Sequence, residues 1–199
     1  MTDVNLEGLT REEGFWKYDL GDLCAEHNDR ATEAQARWWG AVASRYQFAT
    51  VLEVGCGPGA NLTLLRQSGV RVFGVDCNAR ALGRAQAHGH PVAQAFARAL
   101  PFQTASVDLV FTMGLLIHVP PRDRASVLRE VRRVARRFVA LVETYSPIDT
   151  VTDMHGLRDV WWSSDFHACY RQVDPDAILI AYAFLGDPLL HAYLYRVGS

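Results

Sequence analysis

Residues 51–62 read VLEVGCGPGANL, an apolar run that ends in Glu53 and Val54 and is followed at once by Gly55, Gly57 and Gly59. Glycines placed directly after a strand permit backbone angles closed to other residues and leave the main chain bare, so that a ligand can lie against it. Seventeen positions beyond Gly59 comes Asp76, at the end of the next apolar run, VRVFGVD. An acid there can accept hydrogen bonds from both hydroxyls of a ribose; the competing assignment is an N-cap for the helix that starts at NARAL. Together the loop and the acid describe a nucleoside-bearing cofactor laid across the first two strands. G-x-G-x-x-G, the usual nicotinamide fingerprint, is absent, and too few residues follow Asp76 for a second half-domain and a catalytic module.

A second set of residues falls where an acceptor would sit. His118, in LLIHVPP after the fourth strand, is either a general base or a structural histidine bonded to the backbone. Glu143 and Tyr145 close the fifth strand and point at the same cleft. His155, Arg158 and Trp162 follow in a loop-and-helix insertion, where function varies on a rigid scaffold. Arg158 either pairs with a substrate carboxylate or forms a surface ion pair with Asp153 or Asp159. Of the adjacent Trp161 and Trp162, one is expected to cap the cleft and the other to fill core. Phe15, Trp16 and Tyr18 head a segment with no place in the sheet, which serves as a lid over the cofactor or as an amphipathic helix packed on the sheet. His88 and His90, in HGHP, have no third ligand at zinc spacing, so no metal is expected.

The elements that must position these residues alternate from about residue 48 onward. Short β-branched runs (ATVLEVG, VRVFGVD, PVAQAF, VDLVFTMG, FVALVETY) are separated by helical patterns, which predicts an α/β fold with a mostly parallel sheet covered on both faces. The clearest helix spans 123–137, with Val127, Leu128, Val131, Val134 and Ala135 on one stripe and its arginines toward water. AILIAYAFLG and LLHAYLYRV read as two strands joined by a short turn, an antiparallel pair at one edge. Residues 1–47 read as a helical cap, with Thr32 and Gln35 spaced as a capping box. The expected organisation is one domain over 1–199: the cap, then a core over 48–199 with a substrate-side insertion near 146–170.

Bulk properties exclude some partners. A net charge of −2 over 199 residues offers no field for a polyanion, so nucleic acid is not the expected ligand. Four cysteines without a CxxC pair point to reduced thiols and a cytoplasmic setting, and no apolar stretch reaches the roughly 18 residues of a membrane span. The expected state is a monomer or homodimer.

LEVGCGPGANL, the GVD strand end, ALPFQTASVDLVFT and the terminal strand pair resemble the class I S-adenosylmethionine-dependent methyltransferases, from Thr50 onward. The resemblance implies a Rossmann-like, seven-stranded sheet whose last strand is antiparallel. It implies that Gly55 and Gly57 approach the cofactor's amino-acid part, that Glu53 acts near its methionine end, that Asp76 binds its ribose, and that Met113 and Gly114 line the pocket beside the sulfonium. Cys56, Gly59, Asn61, Cys77 and, from the cap, Trp16 complete the implied cofactor set. Phe96 and Ala97 stand where many such enzymes place an acid for the adenine amino group, so adenine recognition is expected to rest on backbone amides and packing against Phe96. GFWKYDLGDLCAEHND, FTMGLLIHVPP, VETYSP and GLRDVWWSSDF further resemble the bacterial methylases associated with pseudaminic acid biosynthesis. That implies a small polar acceptor such as a nonulosonic sugar. Two alternatives use the same cofactor: a non-catalytic binding module that supports a partner, and a cyclase.

Overall fold

The computed structural model describes residues 9–27, 30–154, 157–186 and 189–198. Three helices open the chain: α1 (Arg11–Lys17), α2 (Asp19–His27) and α3 (Glu33–Tyr46). Thr10 and Glu13 close a capping box on α1, and Thr32 and Gln35 close the expected one on α3. The core then alternates β1 (Thr50–Val54), α4 (Ala60–Gln67), β2 (Arg71–Asp76), α5 (Ala79–Ala87), β3 (Val92–Gln94) and β4 (Val107–Met113). A 3-10 turn (Leu116–His118) leads into α6 (Pro121–Val134) and β5 (Ala135–Thr144). After them come β6 (Thr150–Met154), β7 (Leu157–Ser163), α7 (Phe166–Val173), β8 (Ile178–Phe184) and β9 (Leu190–Arg196).

Seven strands form one sheet in the order β3-β2-β1-β4-β5-β9-β8. β1 pairs in parallel with β2 and β4, and β9 runs antiparallel between β5 and β8. Alternate residues of β1 serve the two faces: Leu52 and Val54 pack with Leu128, Val131, Phe166 and Tyr170 from α6 and α7, while Val51 packs with Trp38, Trp39, Leu62 and Leu65 from α3 and α4. Burial on both faces is why β1 and β4 read as continuous apolar runs. The strand order reverses between β1 and β4, and the cleft at the carboxyl ends of these strands is where open α/β sheets bind ligands.

Three expectations differ from the structure. The helix read as 123–137 runs from Pro121 to Val134, and the chain enters β5 at Ala135 without a loop. Pro121 suits the first helical turn, where its missing N–H costs nothing. Not all arginines of the expected helix face water: Arg124 is buried and Arg132 holds Asp174 at 2.7 Å, while Arg136 is half exposed and pairs with Asp108 at 2.9 Å. The insertion is a β-hairpin, β6 against β7, followed by α7, rather than a loop and a helix.

Candidate active site

A cavity of about 690 Å³ opens at the carboxyl ends of β1, β2 and β4 and is roofed by α1 and α2. This lies within the range of small-molecule sites, roughly 300–1,000 Å³. The glycine loop forms its floor. At Gly57, with φ +51, no atom lies within 4 Å of the place a Cβ would occupy, whereas a Cβ at Gly55 would meet the Leu115 side chain at 2.9 Å. Gly55 is therefore bare because the β4 loop packs on it, and Gly57 is bare toward open space. Gly59 caps α4 and does not line the cavity.

Asp76 ties the loop to β2. Its Oδ2 accepts the Gly57 N–H at 2.9 Å and its Oδ1 accepts the Asn78 N–H at 2.9 Å. The helix cap belongs to Asn78, whose side-chain oxygen accepts the Ala81 N–H at 2.8 Å. This removes the competing assignment and leaves Asp76 on the cavity wall, its carboxyl raised by burial. A carboxylate oxygen can take two hydrogen bonds, so capacity remains for hydroxyl donors.

Glu53, at the end of β1, is buried and accepts a 2.7 Å bond from Asn61. Glu53 Oε2 and Asn61 Oδ1 have no hydrogen-bond partner. Burial pushes the Glu53 carboxyl up to about 8. Two unpaired acceptors beside a carboxyl fit a cationic donor such as an ammonium group, which would both satisfy them and hold Glu53 ionised. Cys56, Cys77, Met113, Gly114, Phe96 and Ala97 all line the same cavity, and burial raises both thiols. Arg98 stacks over Phe96 at 5.7 Å and pairs with Glu13 of α1, so the cap is latched to the segment that carries Phe96 and Ala97.

His118 faces the cavity from the 3-10 turn. Its Nδ1 lies 3.0 Å from the Val160 carbonyl. A carbonyl only accepts, so Nδ1 carries the proton and Nε2 keeps a free lone pair. Burial lowers the imidazole to about 4, and it is neutral at pH 7. Trp16 of α1 covers it with ring centroids 3.8 Å apart, and Trp161 meets it edge-on at 5.5 Å.

The remaining expectations divide. Trp161, not Trp162, lines the cavity: side chains alternate along β7, and Trp162 is buried on the other face opposite Val151. Glu143 lies outside the cavity wall, beneath the turn, where it accepts the Leu115 N–H at 3.2 Å and burial lifts it to about 7. Tyr145 also lies outside, its ring tilted against His191 with centroids 4.9 Å apart. His155 and the Arg158 side chain fall outside the described residues. Among the described residues no group of three or more His, Cys, Asp or Glu is close enough to hold a metal ion. Sequence reasoning missed the Glu13 to Arg98 latch and the Val160 carbonyl. The TREE motif of the capping box signals the first in part; nothing in the sequence signals a backbone partner.

Residues 51–137 match the family described as methyltransferase domain, and the fold and the glycine loop agree with that match. A malonyl-[acyl-carrier protein] O-methyltransferase of Enterobacter lignolyticus is 37% identical over 147 residues, covering 71% of this chain and 56% of the relative. The chain spans about half the length of the curated relatives it matches. Among solved structures, magnesium protoporphyrin IX methyltransferase of Synechocystis PCC 6803, with bound S-adenosylmethionine, superposes with a TM-score of 0.70 at 14% identity, over 98% of this chain and 100% of that one. The 1,6-didemethyltoxoflavin-N1-methyltransferase of Burkholderia thailandensis, with bound 1,6-didemethyltoxoflavin and S-adenosylhomocysteine, gives 0.70 at 17% identity over 94% and 87% of the two chains.

Proposed function

We propose that this protein transfers the methyl group of S-adenosylmethionine to a small polar acceptor, with His118 as general base. The observation that carries the reading is the cradle at the ends of β1 and β2, where bare Gly57, Asp76 and the unpaired oxygens of Glu53 and Asn61 line one cavity. When bound there, the cofactor supplies an electrophilic methyl on a sulfonium. The chain supplies the rest. Asp76 would hold the ribose, Glu53 and Asn61 the amino-acid part, and Phe96 and Ala97 the base. Trp16 would cover the acceptor side beside His118, and the latch between Glu13 and Arg98 would hold the cap closed over the base end of the cofactor. Much of the rate then comes from holding the acceptor in line with the methyl at about 3–3.5 Å, while the free lone pair of His118 Nε2 takes the acceptor's proton.

The resemblance at both chain ends adds nonulosonic sugars and related biosynthetic intermediates to the acceptors proposed. A small molecule is favoured over nucleic acid by the net charge of −2, and a cytoplasmic setting by the four free thiols. Release of S-adenosylhomocysteine, assayed over sugar acids, their nucleotide conjugates, phenols and acyl acids, tests the reading. Turnover with one class is expected; cofactor binding without product from any acceptor would favour a supporting module instead.

Proton linkage gives a test that needs no acceptor. Glu53 is largely protonated at pH 7, because its carboxyl sits near 8, and an ammonium beside it stabilises the charged form. Cofactor binding at pH 7 is therefore expected to release up to about one proton. Calorimetry in buffers of different ionisation enthalpy measures this, and Glu53→Gln should abolish it. Equal proton release in the variant would remove Glu53 from the cofactor's amino-acid end.

A further inference from the structure

His118 owes its protonation pattern to a carbonyl on another element. Val160 lies on β7, so the imidazole is correctly set only while the hairpin β6–β7 stays docked on the 3-10 turn. One side chain joins these pieces. Arg124, in the first turns of α6, is only 3% exposed. Its Nε donates to the Val119 carbonyl at 3.1 Å, at the residue after His118, and its Nη1 donates to Asp149 at 2.7 Å. Asp149 immediately precedes β6, and its carboxylate also accepts the hydroxyl of Ser164, which immediately follows β7. The guanidinium lies over the Phe166 ring, 5.1 Å from its centre, and so packs against the start of α7 as well. A buried arginine thus touches the segment that carries His118 and, through one carboxylate, both ends of the hairpin that carries Val160. Surface ion pairs contribute little, but a pair with one buried member and further hydrogen bonds on each side fixes geometry.

We propose that Arg124 and Asp149 form a clamp that docks the β6–β7 hairpin on the His118 turn, so that Val160 holds the imidazole in its Nδ1–H form with Nε2 free for the acceptor. Arg124 is a positioning residue: it acts through Asp149 and the hairpin, and is absent from the cavity wall. The catalytic part of the proposal rests on His118 as the base.

The experiment uses full-length protein labelled with ¹⁵N in the histidine rings, with the His118 signals identified by their loss in His118→Asn. Wild type is expected to show one His118 tautomer, with the proton on Nδ1. Asp149→Asn and Arg124→Lys should show a mixture of tautomers. With an accepted substrate, kcat should fall about 10- to 100-fold, as for a misplaced catalytic group, while affinity for S-adenosylhomocysteine stays within about twofold. Asp149 is half exposed, so its carboxamide variant should fold even where Arg124→Lys does not. An unchanged single tautomer in a folded Asp149→Asn would overturn the clamp. A mixed tautomer with undiminished kcat would keep the clamp and remove His118 as the base, so the two readings fail separately.

Discussion

His118→Asn is expected to lower kcat by about 10²- to 10⁴-fold, the range for losing a general base, with little change in S-adenosylhomocysteine affinity. The asparagine amide can occupy the place of Nδ1 and still donate to the Val160 carbonyl, so the turn should keep its shape. What is lost is the free lone pair of Nε2. The pH dependence separates this role from a structural one. The imidazole is lowered to about 4 by burial, so with cofactor saturating at every pH the wild-type kcat/KM for the acceptor should stay level from pH 8 down to about 5.5 and fall only on approach to 4. A base at its ordinary value would place that fall near 6.5.

Stability must be followed in the same range. The unfolded chain binds the histidine proton first, so the His118 contribution is lost as the pH drops from about 6.5 toward 4. The raised carboxyls of Glu53 and Glu143 act in the opposite sense: more proton is bound in the folded state, and their contribution is lost as the pH rises from about 4.5 toward 8 and 7. A variant within tenfold of wild type on an accepted substrate would return His118 to a structural role, whereas a limb near 6.5 that disappears in the variant would keep the base and place it at its ordinary value.

What the sequence reveals of this site follows the kind of interaction involved. The alternation of strands with helices and the cofactor end are legible because they rest on composition along short segments: apolar runs buried on both faces, three glycines in five residues, and an acid at a strand end. The overlong end of the helix has a local cause. Ala135 continues the apolar stripe of α6 and is also buried in β5, so the period gives no sign of the change from helix to strand. The hairpin was hidden for the opposite reason. TVT and VWW are too short to show strand alternation, although the parity that buries Trp162 and exposes Trp161 to the cavity is implicit in them. Glu143 and Tyr145 sit at the right end of the right strand, but strand position does not tell whether a side chain points into a cleft or under a neighbouring turn. The tautomer of His118 was least legible, since it depends on a carbonyl 42 residues away.

Asp76 carries the largest expected effect on binding. Asp76→Ala should weaken S-adenosylhomocysteine by about 10- to 150-fold, equivalent to roughly 1.5–3 kcal/mol for hydrogen bonds to a charged acceptor. The carboxylate has two tasks that this change removes together: accepting ribose hydroxyls, and holding the N–H of Gly57 so that the bare loop keeps its shape. Asp76→Asn separates them. A carboxamide retains one acceptor oxygen but brings a donor where the second stood, so it can serve either the Gly57 N–H or the Asn78 N–H but not both. Its affinity should fall between those of wild type and alanine. Asn78→Ala provides the contrast. Asn78 caps α5 and also bonds the Lys17 carbonyl and Asp22 of the cap, so its loss should cost about 0.5–2 kcal/mol of folding stability. It should leave cofactor affinity within a few-fold. Titration calorimetry reads the affinities and denaturant melts of the cofactor-free protein read the stabilities. If Asp76→Ala keeps wild-type affinity and only melts earlier, the carboxylate is a brace for the loop, and the ribose must be held by other groups of the cavity.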